Sequence, residues 1–313
     1  MTDQQLQTEV KPITTWTAWY ESALKPLGLL ILLVLLFSVI TYPLSILNEY
    51  FAGLLGYAKS IRLLVSLISI IIAVYAINFG IFMFGLKYEY ASTPVYHRPL
   101  LKETGKGFLF GFVIFASVVL IAWLGGLYSI SSLYSDSHST SETLIFFIEN
   151  LIAFLIVAVR EEFIFRAGIF HLFEEKGGTV SAMIISSFFF GLVHAGNPQS
   201  TWLGVVGIMF EAGILFGAVY VVTRRIWVVI GLHWAWNFTQ GPLFGNVISG
   251  STKTQNGIFM GKMEGSVWLT GGSFGPEAGL IAISICTAVG VYLFIKTRRD
   301  GYFKPSIFRE IKR

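Results

Sequence analysis

The feature that most constrains this chain is a succession of apolar stretches of about twenty residues, separated by short polar connections. A helix rises ~1.5 Å per residue, so such a stretch matches the hydrocarbon core of a bilayer. Hydrophobic residues make up 54% of the chain and charged residues only 13%, with a mean hydropathy of +0.70. That balance excludes an ordinary soluble globular protein. The 313 residues leave room for about eight spans. They are read at about 27–47, 63–86, 107–128, 144–173, 179–194, 202–222, 226–239 and 278–295. The expected fold is therefore all-α, a polytopic transmembrane bundle. Residues 1–25 form a cytoplasmic or interfacial tail, 26–297 one membrane unit without internal repeat, and 298–313 a basic cytoplasmic tail. The 144–173 stretch is too long for one untilted crossing, so either the span tilts or an interfacial helix precedes it.

The N-terminal residues are polar and carry acids, without the short apolar core and cleavage site of a removed signal peptide. Trp16, Trp19 and Tyr20 fit an interfacial belt. With both termini in the cytoplasm, 18 of the 22 Lys and Arg residues fall on the inner side. Orientation thus accounts for most of the positive charge, and nothing suggests a nucleic-acid partner. The lone cysteine, Cys286, lies in an apolar stretch and rules out an intrachain disulfide or a cysteine metal site.

Two adjacent carboxylates flanked by arginines interrupt the fourth span in Arg160-Glu161-Glu162-Phe163-Ile164-Phe165-Arg166. Charged groups at bilayer depth normally face a protein interior or a watery cavity and are usually functional. On a helix, Glu162 and Arg166 are i, i+4 neighbours, whereas Glu161 points well away from Arg166. Glu162–Arg166 reads as a buried orienting pair, with Glu161 left for chemistry. The alternative is a cytoplasmic cap on a helix ending at Val159. Counted from the inner turns, Glu161, His194, Glu211, His233 and Asn237 all lie roughly 12–24 Å deep, on four different helices. Unrelated structural polar groups have no reason to share a slab. His233 and Asn237 are also i, i+4, which serves equally for an interhelical hydrogen-bond pair. Glu211 either lines the cavity or pairs with Arg166. His171 reads as structural, and the loop histidines His97 and His138 are assigned nothing. Gly241–Gly279 holds ten glycines in 39 residues and reads as a flexible connection, with a folded-back lid as the alternative.

In order along the chain come Glu161-Glu162-x-x-x-Arg166, Phe190-x-x-x-His194 and His233-x-x-x-Asn237. Together they resemble the CPBP (CAAX protease and bacteriocin-processing, Abi) family of intramembrane proteases, over about residues 140–245. The stretches Thr223–Trp227 and Trp236–Gly241 are similar to its bacterial members. The resemblance implies an intramembrane endopeptidase in a prokaryotic plasma membrane, acting on a membrane-associated peptide or protein, prenylated or not. Glu161 is then the general base, His194 holds and polarises the water, and His233 with Asn237 stabilises the oxyanion. Glu162, Arg166, Phe190 and Glu211 shape the site. The resemblance carries a metalloprotease label, and Glu161, His194 and His233 are the three ligands a zinc ion would take. The sequence has no His-Glu-x-x-His helix, and the same residues also serve a metal-free glutamate mechanism, which the resemblance to CAAX proteases slightly favours. A different class remains open: a non-catalytic immunity or scaffold partner, or a small transporter that uses buried acids as a relay. The sequence does not set an oligomeric state.

Overall fold

In the computed structural model, the structure describes residues 14–25, 27–28, 50, 68, 100–251 and 256–307. The spans expected at 27–47 and 63–86 lie outside the described residues, except for residues 27–28 and 68. The rest is mostly helical. Helix α1 is Thr15–Trp19, continued by a π turn, Tyr20–Leu24. Trp16 and Trp19 on it are exposed, as an interfacial belt requires. Among the described residues, four helices are long and apolar enough to cross a membrane: Leu100–Leu124, Thr140–Gly196, Trp202–Thr223 and Leu280–Arg299.

Helix α2 is Leu100–Leu124. Its expected extension to Tyr128 is cut short by Gly125-Gly126, with Gly126 at φ 70°. The chain then forms β1, Tyr128–Leu133, which pairs antiparallel with β2, Phe259–Met263. This small sheet corrects the all-α expectation. Its sequence signal is the alternation Tyr128-Ser129-Ile130-Ser131, which a reading tuned to apolar runs passes over.

Helix α3, Thr140–Glu162, starts with a capping box: Ser139 Oγ accepts from the Glu142 N–H, and the Glu142 carboxylate accepts from the Ser139 N–H. The helical path continues through a π segment, Phe163–Phe170, into α4, His171–Leu192. No separate interfacial helix precedes the motif. The path breaks at Gly178, whose φ of 80° and ψ of 166° only glycine adopts cheaply. This is the turn expected at 174–178. It is held by Glu174, which receives both Arg224 guanidinium nitrogens at 2.6 and 2.8 Å and the Thr179 hydroxyl at 2.7 Å. The segment after the last helix closes over the same turn, with the Lys304 N–H donating to Thr179 Oγ1 and the Ile307 N–H to the Lys176 carbonyl.

Helix α5 is Trp202–Ile208, followed by the π segment Met209–Ile214 and α6, Leu215–Thr223. Arg224 ends α6 in the left-handed region at φ 52°. Helix α7 is Ile226–Phe238, and α8 is Leu280–Arg299. Helix α7, at 13 residues, is shorter than a full crossing and is buried nearly throughout. It is clamped against α2: a Cβ on Gly107, Gly111 or Gly231 would run into the carbonyl oxygens of Val228, Leu232 and Thr104, respectively. Close backbone approach through small residues is how apolar helices associate without a hydrophobic driving force. Trp234 Nε1 donates to the Leu151 carbonyl at 2.8 Å and fixes α7 against α3 as well.

The described parts of the 241–279 connection, and Gln240 just before it, pack against the rest of the fold. Phe274 and Gln240 are fully buried, and Gly245, Gly250 and Gly257 lie against neighbouring backbone. Because α7 carries two of the expected site residues, its seating controls the site. Gly231→Val is expected to destabilise the folded protein by about 1–3 kcal/mol, through overpacking at a backbone contact. Thermal unfolding in detergent measures this. A surface substitution such as Lys262→Ala should leave the midpoint unchanged.

Candidate active site

Site assembly begins on α3. Glu162 and Arg166 are both fully buried, and Arg166 Nη1 meets Glu162 Oε1 at 3.1 Å. The i, i+4 expectation is met, and the cap alternative is not, because the helical path runs past Val159 without a break. The same Glu162 oxygen accepts from His233 Nδ1 at 2.8 Å, joining α3 to α7. An ionised carboxylate only accepts, so the proton on this bond sits on Nδ1 and the neutral His233 ring carries its lone pair on Nε2. That Nε2 faces Glu161 Oε2 at 3.8 Å.

Arg166 gathers the other walls. Its Nη2 donates to the Ala212 carbonyl at 3.1 Å, in the π segment between α5 and α6. Its guanidinium carbon lies 4.5 Å from the Phe190 ring centre and 5.5 Å from that of Phe216, within cation–π range. Phe190 also stands beside His194 and His233, with ring centres 5.4 and 5.9 Å apart. Phe216 packs on His233 at 5.2 Å. Buried charges survive only when paired and hydrogen-bonded. Here one arginine uses a carboxylate, a carbonyl and two aromatic faces.

Glu161 is partly exposed and is not fully free: its Oε1 accepts from Arg160 Nη2 at 2.9 Å. His194 lies past the end of α4, in the 3-10 turn Val193–Gly196. Its Nδ1 is 2.7 Å from the Phe190 carbonyl, which can only accept, so its Nε2 holds the lone pair in the neutral ring. His194 is within electrostatic reach of Glu161. Asn237 is buried one turn beyond His233, and its amide makes no hydrogen bond among the described residues.

Of the two readings for Glu211, the pairing with Arg166 is not made. Glu211 is buried with both carboxylate oxygens unpartnered among the described residues. The Arg166 head is already taken by Glu162 and by Ala212, the residue next to Glu211. The groups that feel Glu211 are Glu277 and Cys286.

Glu161, His194 and His233 are chemically suitable zinc donors. Yet among the described residues no three His, Cys, Asp or Glu side chains converge to hold a metal ion. Arg160 occupies one Glu161 oxygen and Glu162 occupies the His233 Nδ1. These bonds leave Glu161 Oε2 and the Nε2 atoms of His233 and His194 as the remaining donor atoms, and no step below passes through a metal.

Several partners had no sequence signal. Phe216 and the Ala212 carbonyl belong to no spaced motif, and π segments leave no periodic trace. Arg160 was visible beside Glu161 but says nothing by itself about direction. Glu277 lies outside the motif region. Its carboxylate accepts from the Ser249 N–H at 2.5 Å, the Ser249 hydroxyl at 2.9 Å and Trp236 Nε1 at 3.4 Å. Burial pushes the Glu277 carboxyl above the ordinary carboxylate range, against the opposing effect of its hydrogen bonds from Gln240 and Ser249.

The Glu162–Arg166 pair can be tested directly. Arg166→Met strands a buried carboxylate and is expected to cost about 3–5 kcal/mol. Adding Glu162→Gln should recover a large part of that stability, because the uncompensated charge is gone. Chemical or thermal unfolding of the two single variants and the double variant measures the coupling.

Residues 143–239 match the family model described as type II CAAX prenyl endopeptidase, Rce1-like. The matched segment contains Glu161, Glu162, Arg166, Phe190, His194, Glu211, His233 and Asn237. It ends before the 241–279 connection. None of the curated proteins compared matches this chain.

Proposed function

From the match of residues 143–239 to the CAAX prenyl endopeptidase model, we propose that this chain is an intramembrane endopeptidase that cleaves membrane-associated peptides or proteins. The observation that carries the reading is the meeting of Glu161 with the Glu162-held His233, 3.8 Å apart, with His194 within electrostatic reach of the same carboxylate. Peptide hydrolysis needs a base for water, a donor set for the developing oxyanion and a proton for the leaving amine. Glu161 takes the first proton. His194, with its Nδ1 tied to the Phe190 carbonyl, accepts the second water hydrogen at Nε2 and aims the oxygen.

Attack forms the new carbon–oxygen bond and places negative charge on the former carbonyl oxygen. The proton on Glu161 passes to His233 Nε2, its neighbour at 3.8 Å, and the resulting imidazolium donates to that oxygen. Asn237, one turn away, donates the second bond. As the carbon–nitrogen bond breaks, the proton returns through Glu161 to the amine. Glu162 holds the His233 ring in register throughout, as a carboxylate does for the histidine of a hydrolytic triad. The chemistry is metal-free in this account: Glu161 and the two histidines carry every proton transfer and contact to the water.

The substrate class follows from place rather than from a specificity pocket. A site built among apolar helices receives chains already held at the bilayer, and a prenylated C-terminus or a hydrophobic peptide both meet that condition.

The test is cleavage of a membrane-presented peptide library by purified protein. Wild type should cleave, and folded Glu161→Gln should lose about a hundredfold to ten-thousandfold in rate. A chelator should leave the rate unchanged. Equal cleavage by both proteins, or none by either, removes Glu161 as base and favours the non-catalytic membrane partner. Loss of cleavage with chelator, restored by zinc, overturns the metal-free route.

A further inference from the structure

We propose that Glu277, outside the matched segment, is a positioning residue that sets His194 and Asn237 against each other. The inference rests on the peptidase reading above. Glu277 is buried in the turn Pro276–Ala278 just before α8. Its two oxygens grip Ser249 through both the backbone N–H and the hydroxyl. Ser249 sits in the left-handed region at φ 47°, where a non-glycine residue is strained and persists only when its surroundings hold it. Glu277 supplies that hold.

The clamped residue is the middle of a strap with two attachments. On one side, the Ser249 carbonyl accepts from Asn197 Nδ2 at 2.5 Å, and the Gly250 carbonyl accepts from the Gln199 N–H at 2.9 Å. The Asn197 N–H in turn donates to the His194 carbonyl at 3.1 Å. On the other side, Gln240 Nε2 donates to the Val247 carbonyl at 2.7 Å, and the Asn246 N–H donates to the Gln240 carbonyl at 2.9 Å. Gln240 follows directly on the α7 helix that carries Asn237, and Trp236 on the same helix donates to Glu277 itself.

The Glu162–Arg166 hub fixes Glu161 and His233 but makes no hydrogen bond to His194 or Asn237. The strap closes that gap, because it ties the turn after His194 to the end of α7. Glycine is required where it is pressed against the fold: Gly275, at φ 106°, would drive a Cβ into the Val247 carbonyl. The charged and titratable groups within electrostatic reach of Glu277 are His194, Glu211 and Cys286.

Two measurements on the full-length protein test this. In the cleavage assay, Glu277→Ala should lower kcat about ten- to a hundredfold with little change in KM, because the lost hydrogen bonds align the reacting groups rather than bind substrate. Glu277→Gln keeps the shape and one acceptor oxygen and should restore most of kcat. Hydrogen exchange in detergent should then show faster exchange at the Gln199 and Gly250 amides in Glu277→Ala, with the α3 amides unchanged. Wild-type kcat in Glu277→Ala, an equal loss in Glu277→Gln, a change confined to KM, or unaltered exchange at both amides overturns the proposal. If wild type itself does not cleave, the peptidase reading fails, and the exchange measurement alone decides whether Glu277 holds the strap.

Discussion

One carboxylate oxygen organises the centre of this protein. Glu162 Oε1 accepts from Arg166 on its own helix and from His233 on α7. Arg166 extends the linkage to the Ala212 carbonyl and stacks against Phe190 and Phe216. Elements from Thr140 to Phe238 therefore meet at one ion pair. In a medium where helices gain little from excluding apolar surface, such polar contacts supply direction that apolar packing alone does not. The pair is costly to bury and costlier to break, so its geometry resists rearrangement. The His233 ring is held on its Nδ1 side, which leaves Nε2 toward Glu161.

A second constraint is steric. The α2–α7 crossing brings backbone against backbone at Gly107, Gly111 and Gly231. It presses α7 inward, so that His233 and Asn237 stand in the interior although their helix has only 13 residues. The polar hub and the glycine crossing act on the same helix from two sides.

Much of this was legible in the sequence, because helical spacing is a local property. The Glu162–Arg166 pair followed from i, i+4 geometry, and the Gly178 turn from Glu174–Gly178. The slab argument brought Glu161, His194 and His233 into one neighbourhood. What failed depended on long-range placement. Glu211 shares the depth of the site but does not make the pairing with Arg166, because depth along a helix says nothing about azimuth. The β1–β2 pairing joins residues more than a hundred positions apart and has only a weak alternation as its signal. The glycine-rich connection looked flexible by composition, yet its glycines sit where other backbone presses close. Glycine content alone does not distinguish these two uses.

The central claim is that Glu161 activates water and does not attack the peptide itself. A single turnover in heavy-oxygen water, with enzyme in excess over a labelled membrane peptide, tests this most directly. The account predicts that the new C-terminal carboxylate carries one heavy oxygen in that first turnover, while Glu161 stays unlabelled. A first-turnover product without heavy oxygen, with the label found on Glu161, would show that the carboxylate is a covalent nucleophile and would contradict the account.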